Sequence, residues 1–346
     1  MRFYTRILAF ALVLTTVASL FSCVSHKEKY EEYSFEYFDT VTVVSGYESN
    51  EDRFREISAK TLAVLEEYHK LYDIYKTYQG VVNLATLNAC AGQAPLKVDK
   101  RIIDLLLYAK SIYTLTGGMT NIAMGSVLEI WHDFRERGIS EPHLAQLPEE
   151  NLLKESGEHT DIDNLIIDEE SLTVQLLDEK MSIDVGAIAK GYAVEMAAQE
   201  LEAIGISGYI LNVGGNVRVI GAKPEGEHFV AGIESPDTEE YLALVKLKDN
   251  ALVTSGSYQR FYTVNGVSYH HIIDPETLFP SDRFRSVSVI AEHSGMADAL
   301  STALFVMDID EGKGLIEGIS GVEALWLTED GEIFTSSGWA DFLAED

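Results

Sequence analysis

An α+β fold, with helices packed on a mostly antiparallel sheet in one unit of two lobes, is what the order of elements in this chain predicts. Three observations carry that expectation. Helical periodicity dominates residues 52–137, short strand-like runs crowd residues 165–327, and no Pro/Gly-rich linker divides residues 33–346. Strict strand–helix alternation, the mark of a parallel sheet, is missing.

Taken in order, residues 35–46 alternate and are rich in Val, Thr and aromatic side chains, the pattern of a strand. Residues 52–75 place Phe54, Ile57, Leu62, Leu65, Tyr68, Leu71, Tyr72 and Tyr75 at helical spacing. Residues 77–95 are irregular. Asp99 then caps a second helix through Ile102, Leu105, Leu106 and Ala109, stopped by Gly117-Gly118. A third helical pattern covers 123–137, and the polar residues 138–160 read as peripheral. Runs 165–168 and 172–177 form a hairpin across Glu169-Glu170, and Ser182-Ile183-Asp184 leads through Gly186 into a helix over 187–204. Strands are expected at 209–212, 217–220, 230–233, 242–247, 251–254, 261–264, 286–291 and 324–327, with a helix over 296–307. There is no internal repeat.

The N-terminus is a separate object. Arg2 and Arg6 precede an apolar run over residues 7–21, long enough for a signal h-region and short for a membrane span, which takes about 20 residues. It ends in Leu20-Phe21-Ser22-Cys23, which resembles a bacterial lipobox. Residues 1–22 therefore read as a signal peptide, Cys23 as lipidated, 23–33 as a polar tether and 34–346 as the working domain, on the extracytoplasmic face of the cell membrane. Cys90, the only other cysteine, is expected to be a small buried residue. Two Cys and nine scattered His exclude a thiolate zinc site. The net charge of -30, from 26 Lys+Arg against 56 Asp+Glu, argues against nucleic-acid partners. A phosphate-bearing substrate would need a cation beside it.

Four constellations carry chemistry. In Asp184-Val185-Gly186-Ala187-Ile188-Ala189-Lys190-Gly191 a strand ends in a carboxylate, Gly turns the chain and a helix begins, whose free N–H groups make an anion cradle with Lys190 one turn in. An ordinary strand–turn–helix reads the same way. Asn212-Val213-Gly214-Gly215-Asn216 is a tight turn that either closes a hairpin or lets backbone approach a ligand. His270-His271-Ile272-Ile273-Asp274-Pro275 offers a histidine suited to proton transfer. Strand alternation sends its two histidines to opposite faces, so one is expected to act and one to face solvent. Asp298 and Thr302 share a helix face and are hard oxygen donors fit for Mg²⁺, although an N-terminal Asp with a back-bonding Thr gives the same pattern.

Together, in this order, these segments resemble the ApbE family of FAD:protein FMN transferases. The likeness spans about residues 35–340 and includes Phe38-Asp39-Thr40, residues 78–88, Gly117-Gly118, Trp131, Gly232-Ile233-Glu234-Ser235-Pro236 and Ser255-Gly256. It implies an ApbE-like fold with an FAD cleft between lobes, and transfer of FMN from FAD to a threonine of an exported or membrane protein, releasing AMP. It implies Mg²⁺ on Asp298, Thr302 and the backbone oxygen of Ala187, with His271 catalytic beside Asp298. It implies FAD contacts from Phe38, Tyr78, Met119, Thr120, Asn121, Asp184, Lys190 and Ile272. The acceptor would carry a Ser/Thr-Gly-Ala-Thr-like sequence. Two positions depart from the family: Asn121 where Asp is frequent, and Leu278 where Gly is usual and positive φ is expected. FAD hydrolysis to FMN and AMP, or flavin binding without turnover, are the alternatives.

Overall fold

The computed structural model describes residues 27–344. The signal peptide and Cys23 lie outside them. The elements run β1 (Glu28–Ser34), β2 (Thr42–Glu48), α1 (Glu51–Tyr72), α2 (Leu84–Asn88), β3 (Leu96–Lys97), α3 (Lys100–Leu115), α4 (Gly125–Ser140) and α5 (Glu150–Gly157). The hairpin β4 (Leu165–Asp168) and β5 (Thr173–Leu176) comes next, then α6 (Ala189–Ala203), β6 (Tyr209–Val213), β7 (Asn216–Ile220), β8 (Phe229–Glu234) and β9 (Tyr241–Leu247). The chain closes with β10 (Ala251–Gly256), β11 (Phe261–Val264), β12 (Val267–His270), β13 (Phe284–Ala291), α7 (Ser294–Val306), α8 (Ile309–Glu317), β14 (Glu323–Thr328) and β15 (Ile333–Thr335).

The main sheet has eight strands in the order β1-β2-β6-β7-β10-β13-β14-β15, and every named pairing in it is antiparallel. Its central strands are buried on both faces. Val253 and Val289 pack against α7, while the adjacent Leu252 and Ile290 pack under the β8–β9 hairpin and Trp339. Period 2 is therefore hidden inside continuous apolar runs. The largest core lies between α1, α3, α6 and the sheet, and a satellite core gathers Trp131 of α4 with Tyr262 and Ile273. A buried ion pair ties the helices to the sheet: Glu195 of α6 accepts from Arg218 Nε of β7 at 3.0 Å and from the Ser294 amide at the start of α7 at 2.8 Å. That junction sets where α7 begins.

Several expectations need correction. Residues 28–33 are not a free tether. They belong to β1, paired Glu28↔Glu48 through Ser34↔Thr42, with Tyr30 stacked 5.6 Å from Phe54. Its alternating charges suit an edge strand. The strand expected over 35–46 starts only at Thr42, because the chain must reverse between β1 and β2, and Phe38 and Asp39 take φ of 55° and 49° to do so. The peripheral stretch contains α5, and α8, β3, β12 and β15 were not anticipated. Cys90 is only half-buried, in the turn that ends the five-residue α2.

Candidate active site

A cleft of about 420 Å³ opens where α1, α4, α6, α7 and the strand β10 meet, a size that takes a small-molecule ligand. Its floor is built at the crossing of α6 and α7. Asp298 comes from the second turn of α7, a helix buried all round and capped by His293, whose Nδ1 accepts the Gly295 and Met296 amides. The carboxylate is only 4% exposed, yet it lines the cleft. Its Oδ2 accepts the Gly191 amide at 2.9 Å and its Oδ1 lies 3.7 Å from Lys190 Nζ. In a regular helix the Gly191 amide would go to the Ala187 carbonyl. Here Asp298 takes it, and no backbone amide among the described residues donates to Ala187. One carboxylate, the Thr302 hydroxyl one turn on and a spare carbonyl thus line one end of the cleft. Such a hard-oxygen set fits Mg²⁺ that completes its coordination with water and substrate phosphate. No group of three or more His, Cys, Asp or Glu placed to hold a metal occurs among the described residues.

The helices approach this closely because residue 191 is glycine. A Cβ there would stand 2.5 Å from both Asp298 Cβ and the Ser294 carbonyl oxygen. Gly191→Ala is therefore expected to cost about 1–3 kcal/mol by overpacking and to move Asp298. Thermal unfolding together with catalytic activity would check this: a lower unfolding midpoint and lost activity are the expected result.

Of the two histidines, His271 lines the cleft and His270 does not. His270 is buried: its Nε2 donates to the Ser281 carbonyl at 2.6 Å, its Nδ1 accepts the Ile272 amide at 3.1 Å, and its ring meets Phe305 edge-on at 5.4 Å. The histidine expected to face solvent instead clamps the chain after β12. His271 follows that strand, and its Nδ1 is buried without a partner among the described residues. Burial first, then the Arg260 charge, pushes its pKa down to about 3, so its imidazole is neutral at physiological pH. Asp274 serves the turn, accepting the amides of Glu276 at 2.8 Å and Thr277 at 3.3 Å. In that turn Leu278 takes φ of 61° despite being non-glycine; its carbonyl accepts from Trp131 Nε1 at 2.9 Å, and its side chain packs over Gly157.

Phe38, Met119, Thr120, Asn121, Asp184 and Lys190 all line the same cleft, as does Ile272. Burial raises the Asp184 carboxyl above its usual range despite its bond to the Gly186 amide. Tyr78 is not among the lining side chains. It stands behind His69 and Asp73, donating to Asp73 Oδ2 at 2.7 Å with its hydroxyl 3.2 Å from His69 Nε2. His69 Nδ1 in turn accepts the Phe38 amide at 3.3 Å, so this relay holds the positive-φ turn over the cleft. The Asn121 departure has a local cause. Its Nδ2 donates to the Thr160 carbonyl at 3.0 Å and its Oδ1 accepts the Ala123 amide at 2.9 Å. A carboxylate could not make the first bond. Asn121→Asp is expected to lower stability by about 1–3 kcal/mol, read as a fall in the unfolding midpoint.

Sequence reasoning missed His69 and Arg135, and it singled out the aromatic/Arg segment 254–260 without giving Arg260 a role of its own; all three residues line the cleft. One signal existed: His69 lies four residues after Leu65 and Arg135 four after Trp131, polar residues on faces that are otherwise buried.

The ApbE family model matches residues 38–326. A protein of Treponema pallidum named FAD:protein FMN transferase is 35% identical over 274 residues, covering 75% of this chain and 74% of that protein. One of the same name from Vibrio cholerae is 29% identical, covering 82% of this chain and 83% of that protein. The crystal structure of an ApbE protein from Thermotoga maritima superposes with a TM-score of 0.81 at 28% identity, covering 92% of this chain and all of that one. The family model spans most of the chain and the Treponema pallidum relative is matched over three quarters of it: the chain belongs to the ApbE family.

Proposed function

We propose that this chain is an FAD:protein FMN transferase that binds FAD in the cleft, uses Mg²⁺ held by Asp298, Thr302 and the Ala187 carbonyl, and passes FMN to a threonine hydroxyl of a partner protein with release of AMP. The observation that carries this reading is the convergence, in one cleft, of that hard-oxygen set with the imidazole of His271. The acceptor hydroxyl oxygen attacks the phosphorus of the FMN half. A new phosphoester bond forms, the bond from that phosphorus to the bridging oxygen breaks, and AMP leaves with that oxygen. The acceptor's proton passes to His271. When bound, Mg²⁺ would supply charge neutralisation worth several kcal/mol to the pyrophosphate transition state. Lys190, 3.7 Å from Asp298, can reach a phosphate oxygen as well.

The acceptor is a separate protein with a Ser/Thr-Gly-Ala-Thr-like sequence. The nearest likeness here is Thr116-Gly117-Gly118-Met119-Thr120, and its two hydroxyls are buried and committed, Thr116 to the Ile112 carbonyl at 2.9 Å and Thr120 to that of Ala299 at 2.8 Å. A lipid on Cys23 would hold the enzyme at the extracytoplasmic membrane surface and raise the effective concentration of a tethered acceptor. Cys23→Ala should release the protein from membranes with activity unchanged. The central experiment incubates the chain with FAD, Mg²⁺ and a candidate partner domain and reads intact masses. An FMN-sized gain on the partner with AMP released is expected. FMN and AMP formed without partner modification would make the protein a hydrolase, and chelator-insensitive turnover would refute the metal.

A further inference from the structure

We propose that Arg135 and Arg260 form an anion subsite on the His271 side of the cleft, and that the group it takes is the phosphoryl of the FMN half of FAD. The inference rests on the function proposed above. In a chain with 26 basic residues against 56 acidic ones, a cation left without a carboxylate needs a reason. Lys190 has one in Asp298. Arg260 makes no hydrogen bond or ion pair among the described residues, although it lines the cleft. Arg135 Nη2 meets only His132 Nδ1, at 2.9 Å, and its Nε lies 3.9 Å from Glu136, its neighbour on α4. Yet the Arg135 side chain is 13% exposed. A nearly buried guanidinium has five N–H donors to satisfy, and leaving most of them empty is costly.

The two arginines reach the cleft from separate elements, Arg135 from α4 and Arg260 from the turn after β10. They act on the same neighbours. Both depress the His271 imidazole, and both oppose the burial that raises Asp184. Asp184 does not neutralise them: it accepts the Gly186 amide at 2.7 Å and forms no ion pair with either. The cleft that holds His271 therefore presents two guanidinium forks that no carboxylate lining it neutralises. Guanidinium matches phosphate oxygens bidentately. The anion that must come to His271 in the proposed reaction is the phosphoryl being transferred, not the departing AMP. An acidic side chain of the acceptor is the competing occupant.

The test is flavin binding, which needs no turnover. Full-length wild type, Arg260→Ala, Arg260→Lys and Arg135→Lys are titrated with riboflavin, FMN, FAD and AMP in the presence of Mg²⁺. Arg260 is exposed and uncommitted, so its variants keep the fold, and Arg135→Lys keeps the charge. Arg260→Ala is expected to weaken FMN and FAD by about tenfold or more, the loss of one charged hydrogen bond, and riboflavin and AMP by less than about twofold, with Arg260→Lys between. Equal losses for riboflavin and FMN, or no loss for either, would overturn the subsite. Unchanged flavin affinity with slower modification of the partner protein would give the arginines to the acceptor and overturn it too. If the wild type itself bound no FAD, the transferase reading would fall, and that result is separate from any behaviour of the variants.

Discussion

Replacing Asp298 by Asn is expected to abolish FMN transfer, by about a thousandfold or more if the carboxylate's share in placing the cation is worth several kcal/mol at the transition state. Asn is the informative change because its amide oxygen can still accept from the Gly191 amide, the bond that Asp298 Oδ2 makes at 2.9 Å. Ala would strand that amide in a site only 4% exposed and confuse loss of metal with loss of fold. Flavin affinity should fall far less than turnover, because Phe38, Met119 and Ile272 line the cleft beyond the donor set. The comparison is kcat with saturating FAD and Mg²⁺ against flavin affinity measured by fluorescence. Full activity in Asp298→Asn would show that the cation, if any, is held elsewhere.

How much of this was legible beforehand depended on whether local chemistry or distant packing decides each feature. Cap residues were readable. Asp99 accepts the Arg101 amide at 2.9 Å and starts α3, and the apolar spacing located α1, which ends three residues early because the Asp73 carboxylate takes the amides of Tyr75 and Lys76. The β4–β5 hairpin stood where its pattern placed it. β12 also had a signal that went unused: Asn265-Gly266, with φ of 52° and 85°, is the dipeptide favoured in two-residue hairpins. β1 had only weak alternation among charges, and α8 carries Gly312 and Gly314, which lower helix propensity; at position 312 the neighbouring Leu304 and Trp326 leave little room for a side chain. The cleft was legible as motifs, not as a place. Spacing could set Asp298 beside Thr302, but only tertiary structure brings Gly191 across to Asp298, or puts Arg135 and Arg260 near His271. Tyr78 shows the opposite error, a motif residue that stands one residue behind the lining.

His271→Asn should retain flavin binding and lose about 10²- to 10⁴-fold in transfer, the usual contribution of a positioned general base. The adjacent histidine provides the control, and the structure changes what it should show. His270 bonds to the Ser281 carbonyl and the Ile272 amide inside the protein. His270→Asn should therefore lower the unfolding midpoint, by about 1–3 kcal/mol of stability for a buried group left unpaired. His271→Asn should leave that midpoint nearly unchanged, because its buried Nδ1 has no partner to lose. The pH profile separates the roles further. Burial, then Arg260, holds the His271 pKa down to about 3. With the folded value depressed, the imidazole protonates only well below its ordinary range. The kcat/KM of the free enzyme should then show no acid limb near pH 6.5 from this residue. A His271-dependent loss of kcat/KM centred near pH 6.5, absent from the Asn variant's residual activity, would mean that the imidazole is solvated and charged where the cleft geometry makes it neutral.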